Sequence, residues 1–325
     1  MIIKTFDNGW GPEFPAKKYE QEIVTKLLSE IINDESKTVV INSTWYTKEY
    51  HQETLEWLRR NQFDRIVLVS MLDAAIPQPS WYEEFDCAVI GVGYYPGRYN
   101  IDYWALVLNR YHDPIAKGIL LASDHIDTPF MCLNRKPHWH RRRLYQQLTD
   151  LKLLDRGLVS MGGERQLPVD VVHDLLAPNA APGEYGIPND LVSLGHMDNW
   201  ARCLLNIVTE TVYDINQNGF VSEKIYKPIL GYRPFLVYDT DGATKWLTDR
   251  GFQTFTKDFT DISALDLRKP ENIAPFLVTL SEQPQDYYRH KLLDLRNKIM
   301  YNKTQFAEYT RSQQAIIDKG ISCQI

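Results

Sequence analysis

No apolar run in the sequence approaches the roughly 18 residues at which a stretch reads as a membrane-spanning helix, so no transmembrane segment is expected. The opening, MIIKTFDNGWGPEFP, has one lysine and is interrupted by Gly9, Gly11 and Pro12 before an apolar core can form. That argues against a secretory leader and for a soluble, cytoplasmic protein. Cysteine is scarce. Cys87, Cys132, Cys203 and Cys323 stand far apart without C-x-x-C spacing, which reads as free thiols rather than a disulfide framework or a metal knot. Positive charge is not in excess either: 36 Lys and Arg against 42 Asp and Glu leave a net charge of -6, which argues against a nucleic-acid partner. Solenoid-period repeats and low-complexity segments are absent, and no strict heptad marks an oligomeric state.

What is present is α/β material. The 325 residues, 44% of them hydrophobic, suffice for two domains of about 150 residues each. TVVINST, RIVLVSML, CAVIGVG and WALVLNRY are short, apolar, β-branched runs ending in polar or glycine turns, with the amphipathic stretch YHQETLEWLRR between two of them. This pattern predicts parallel strands joined by helices. An acidic, turn-rich piece from Ser123 to Pro129 then precedes a new run, PFMCLN, which sets the expected division at 1–126 and 127–325. The second part reads as strand, basic helix (HRRRLYQQLTDLKLL), a proline-rich irregular stretch, the strand LLNIVTET, a helix from Ser222, the strand FLVY and the helix ATKWLTDRGF. The tail from Asp286 has apolar residues at helical spacing and predicts a long amphipathic helix, broken at most once. Two such domains place a ligand crevice between them or at the carboxyl ends of strands.

Chemistry concentrates in NGFVSEKIYKPILGYRPFLVY. Ser222 is a natural N-cap, Glu223 and Lys224 occupy the first helical turn, and Pro228 must distort or end the helix early. The unpaired N–H groups there and the positive end of the dipole favour an anion such as a diphosphate. Lys224 adds a full charge, and Glu223 can accept hydrogen bonds from a diol such as ribose. A surface pair, with Glu223 complementing the dipole and Lys224 in water, is the alternative. A second cluster, LNRKPHWHRRRLYQQL, crowds Arg135, Lys136, His138, His140, Arg141, Arg142 and Arg143 around the start of another helix, where positive side chains are unfavourable without an anion; this suggests a bound phosphate, with part of the cluster simply a solvated face.

The segment TETVYDINQNGFVSEKIYKPILGYRPFLVY resembles the donor-binding signature of fucosyltransferase-type glycosyltransferases, in which an acidic "FENS"-like strand end precedes a "YVTEK" helix start. Glu210 matches the acid of the first element, with Thr211 in place of asparagine. Phe220, Ser222, Glu223 and Lys224 match the second, with Phe220 in place of tyrosine. The family's phosphate-binding arginine aligns with Arg141. The resemblance covers about residues 130 to 260 and implies a GT-B fold of two facing Rossmann-like domains. It further implies inverting transfer from a nucleotide sugar, GDP-fucose first, to a glycan acceptor, with no metal or other cofactor. Transfer of another hexose from GDP, UDP or ADP is the nearest alternative. A nucleotide- or glycan-binding protein without turnover is another.

The similar proteins carry a glutamate base just past a strand of the first domain. The matching context, IVLVSMLDAAIPQPSWYEEFDCAVIGVG, nominates Asp73, with a turn or helix cap as its other reading and with Glu83, Glu84, Asp102 and His125 as substitutes. YDTDG, with Asp239 and Asp241, has the Asp-x-Asp form of a metal site but more simply makes a turn and caps a helix. Tyr94, Tyr95, Tyr99 and Trp104 offer either an acceptor-stacking wall or core packing.

Overall fold

The computed structural model describes residues 2–5, 38–42, 56–61, 65–70, 87–91, 100–102, 104, 105, 108, 125–134, 136–165, 194, 197–211, 213, 221–240 and 242–322. Asp73, Glu83, Glu84, Tyr94, Tyr95, Tyr99, Arg135, Phe220 and Asp241 lie outside the described residues.

The described strands form two sheets, both parallel. In the first, β1 (Ile2–Thr5), β2 (Thr38–Asn42), β3 (Arg65–Ser70), β4 (Cys87–Gly91) and β5 (Asn100–Asp102) lie side by side in chain order. The runs TVVINST, RIVLVSML and CAVIGVG supply β2, β3 and β4, and residues 56–60 of the amphipathic stretch are helical. WALVLNRY departs from its expected strand: Trp104, Ala105 and Leu108 are helical and buried. The Asp102 carboxylate accepts the Ala105 N–H at 3.0 Å, so the side chain that ends β5 caps a helical turn. Trp104, for which an acceptor wall was one reading, therefore belongs to the core.

The second sheet has the order β7-β6-β8-β9, from β6 (Thr128–Asn134), β7 (Leu158–Met161), β8 (Cys203–Val208) and β9 (Phe235–Val237). Between and after them run α1 (Trp139–Asp150), α2 (Met197–Arg202), α3 (Glu223–Leu230), α4 (Gly242–Asp249), α5 (Pro270–Ser281), α6 (Gln285–Asp294) and α7 (Arg296–Ser322). Every residue of β8 is buried, as a central parallel strand covered on both faces requires. The core around it contains Phe130, Leu205, Ile225, Phe235, Phe255 and Phe276, each side chain contributing roughly 1.5–3 kcal/mol by its burial. On the opposite side from the strands' carboxyl ends, Arg233 is buried and donates to the carbonyls of Trp200 and Cys203 at 2.8 and 2.7 Å.

Helix ends follow local chemistry. α3 contains Pro228 and stops two residues later at Leu230. α4 closes with Gly251 at φ 80°, where Gly251 N donates to Thr248 O and Phe252 N to Leu247 O, each at 3.0 Å. Only a residue free to adopt the left-handed region makes this double closure without strain. The tail breaks once, at Leu295, and α7 then packs against α3, α6 and β5. Gln313 of α7 accepts the Asp102 N–H at 2.9 Å, so the C-terminal helix spans from the second sheet to the last strand of the first.

Among the described residues no helix is long and apolar enough to cross a membrane. Cys132 and Cys203 are free and buried in β6 and β8, and burial pushes the Cys132 thiol up to about 12, so neither is poised for reaction.

Candidate functional site

The sheet orders decide where a crevice can form. The first sheet keeps one direction throughout, whereas in the second the chain leaves β6 toward β7 and leaves β8 toward β9, on opposite sides. Loops from the carboxyl ends of β6 and β8 therefore diverge, and ligands of open parallel sheets bind at such a switch point.

Residues 209–211, which follow β8, lie between two helix N-termini and are tied to both. On one side is α1. His140 Nε2 donates to the Glu210 carbonyl at 2.9 Å, and Arg141 Nη2 donates to the Thr209 and Glu210 carbonyls at 3.0 Å each. Arg141 Nη1 also donates to Lys136 O at 3.2 Å. On the other side is α3, where Glu210 Oε2 accepts the Ser222 N–H at 3.1 Å and the Ser222 hydroxyl, while Lys224 Nζ lies 3.3 Å from Thr211 Oγ1. Thr209 Oγ1 donates to Asn134 Oδ1, which joins the carboxyl ends of β8 and β6 directly.

Ser222 is the N-cap of α3, extended at φ -112°, with its hydroxyl accepting the Lys224 N–H at 3.4 Å. Lys224 Nζ donates to Glu223 Oε1 at 2.5 Å, yet the two differ in access: 27% of the lysine side chain stays exposed against 4% of the glutamate. Lys224 is thus the more open member of the pair. Burial alone would raise the Glu223 carboxyl, but the Lys224 and Lys227 charges and the Lys224 hydrogen bond prevail and hold it below the usual range.

Comparisons with protein-family models, with curated proteins and with solved structures found no match.

Arg141 is 3% exposed and its guanidinium faces main-chain carbonyls, so it positions the β8 end against α1. In the same turn His140 is buried while Arg142 and Arg143 are exposed, so the basic cluster divides into an inner pair and an outer pair. The inner histidine is neutral, because burial pushes its pKa down to about 4. A carbonyl can only accept, so the proton sits on Nε2, and among the described residues Nδ1 has no hydrogen-bond partner. Trp139, 61% exposed, meets the Tyr213 ring edge-on at 4.9 Å and gives the crevice an aromatic margin.

Of the remaining residues singled out in the sequence, Asp239 is buried and accepts the Ala243 N–H at 2.9 Å, which makes it the cap of α4. Asp102 holds Ala105 N, Tyr226 and Tyr309 through its carboxylate, and His125 is exposed just before β6. Sequence reasoning passed over Asn134, Tyr213 and Tyr226. The one signal available was positional: Asn134 is the polar end of an apolar strand, and Tyr226 lies three residues after Glu223 on the same helix.

Proposed function

We propose that the chain is a glycosyltransferase of GT-B type that moves a sugar, with fucose from GDP-fucose as the first choice, from a nucleotide donor to a hydroxyl of a glycan acceptor. The observation that carries this reading is the convergence of the α1 and α3 N-termini on the carboxyl end of β8, with Lys224 partly exposed beside it. Two helix N-termini and one partly exposed lysine suit a diphosphate. The "FENS"- and "YVTEK"-like segments supply the residues of this site, which supports the fucosyltransferase resemblance as its source.

In inverting transfer the acceptor oxygen bonds to the anomeric carbon as the bond from that carbon to the diphosphate oxygen breaks. The electron pair leaves with the diphosphate, whose added charge Lys224 and the helix N–H groups offset. The acceptor proton passes to a carboxylate from the first sheet. Asp73 is assigned this role because it follows β3, the middle strand of that sheet, by three residues. The hydrogen bond from Tyr226 of α3 to Asp102, at the carboxyl end of β5, supports an arrangement in which the carboxyl ends of the two sheets face each other.

A thermal-shift series with GDP, UDP, ADP and CMP, with and without chelator, tests the reading on wild type and Lys224→Ala. A nucleotide at ~100 times its Kd stabilises by about 2.7 kcal/mol. The expected result is a GDP shift that ignores chelator and disappears in Lys224→Ala, followed by transfer activity that Asp73→Asn abolishes. Absence of a shift with every nucleotide would overturn it.

A further inference from the structure

The two carboxylate oxygens of Glu210 are treated unequally. Oε2 accepts the Ser222 N–H at 3.1 Å, the Thr211 N–H at 3.3 Å and the Ser222 hydroxyl. Oε1 hangs from the same carbon and so lies at the same helix N-terminus, yet among the described residues it has no hydrogen-bond partner. Glu210 is 1% exposed, so water does not compensate that oxygen. A bare buried oxygen at a helix N-terminus calls for a ligand atom.

Its protonation decides what that atom can be. With three donors converging on Oε2, a proton on the carboxyl has to sit on Oε1. The charged groups that face it are Lys224 and Glu223 from α3 and Arg141 from α1, while His140 of α1 is neutral. Burial opposes ionisation most strongly, the Glu223 carboxylate adds to it, and Lys224 and Arg141 act the other way; the carboxyl is held above its usual range. Lys224 already has an ionised partner in Glu223, and a second buried negative charge beside it would repel an anionic ligand.

We propose that Glu210 engages the ligand as a neutral carboxylic acid, donating a hydrogen bond from Oε1 to an anionic phosphate oxygen at the N-terminus of α3. This rests on the reading of the crevice as a diphosphate site. It deepens that reading by making Glu210 a donor like Lys224 and the helix N–H groups, where its residue type suggests an acceptor for a sugar hydroxyl.

The test is calorimetric titration of the full chain with inorganic pyrophosphate and with GDP, across the whole pH range over which the protein stays folded. Wild type, Glu210→Gln and Glu210→Ala are compared, with a melting curve for each. Glutamine can offer its carbonyl to the three donors on Oε2 and its NH2 where Oε1 stands. Glu210→Gln is therefore expected to bind within about threefold of wild type at the acidic end, and Glu210→Ala at least about tenfold more weakly. Wild-type affinity should fall as pH rises through the Glu210 titration, beyond any change caused by the phosphate itself, and the Gln variant should lack that extra fall. If Glu210→Gln folds and loses as much affinity as Glu210→Ala, Oε1 is an acceptor and the proposal is wrong. Identical pH profiles for wild type and Glu210→Gln overturn it equally. If wild type binds neither probe, the diphosphate reading itself fails, an outcome distinct from losing only the role of Glu210.

Discussion

The phenol of Tyr226 donates a hydrogen bond to Oδ2 of Asp102, and Tyr309 donates to the same oxygen at 3.1 Å. Tyr226 stands one turn into α3, whose first two residues are Glu223 and Lys224, and Asp102 ends β5 of the other sheet. The helix that carries the candidate anion site is therefore anchored to the first sheet by the half-buried Asp102 carboxylate. Burial raises the Asp102 carboxyl despite the hydrogen bonds from Tyr226, Ala105 and Tyr309 and the Arg250 charge.

Removal of the phenol in Tyr226→Phe deletes one donor and leaves the ring packing intact. The expected loss is about 1–2 kcal/mol of stability, measured by denaturant unfolding, with weaker nucleotide binding because α3 loses its tether. Unchanged stability and affinity would mean that Tyr309 and Ala105 alone hold Asp102.

Arg141→Ala strips three main-chain carbonyls of a charged donor. It is expected to destabilise the ligand-free protein by about 2–4 kcal/mol, seen as a clear fall in Tm. A purely ligand-directed arginine would leave the ligand-free melting curve in place. Arg141→Lys, which lacks the planar fork, should recover only part of the loss.

The buried, neutral His140 makes stability depend on pH in a defined direction. Its folded pKa, about 4, lies below the ordinary histidine value, so the unfolded chain takes up the proton first as pH falls. The stabilisation is complete above about pH 6.5 and is lost as pH falls toward about 4, amounting to roughly 3 kcal/mol. Glu223, depressed below its own ordinary value, adds a loss with the same sign at still lower pH. Unfolding of His140→Phe measured across this window should show a flatter profile from a lower starting stability. A slope equal to that of wild type would assign the dependence to other groups.

Asp239→Ala removes the cap of α4, and about 1 kcal/mol of stability should go with it, whether or not chelator is present. Asp239→Asn should lose less, since an amide oxygen also caps. A stability or binding change that appears only when divalent cation is added would revive the metal reading of YDTDG.

Much of the architecture was legible in the chain because parallel strands announce themselves as short apolar runs: β2, β3, β4, β6, β8 and β9 all coincide with such runs. β1, β5 and β7 were not, because IIKT, NID and LVSM each carry polar residues within a very short span and do not stand out as apolar runs. WALVLNRY misled because an apolar run reads alike as strand or helix, and the Asp102 cap that settles the matter is visible only in three dimensions. At the site, Ser222 was legible as an N-cap since capping is a local interaction between neighbours in sequence.

The sequence by itself determined that this is an α/β chain with Glu223 and Lys224 in the first turn of a capped helix, because periodicity and capping act over a few residues. Only the tertiary structure decided that β6 and β8 are neighbours, that α1 and α3 converge on residues 209–211, and that Tyr226 reaches Asp102 across 124 positions in the chain. The same long-range packing gave adjacent glutamates opposite character: Glu223 is ionised against Lys224, and Glu210 is buried with one oxygen bare. Charge state in a closed site depends on solvent exclusion and on which charges the fold brings near, and neither is a property of local sequence.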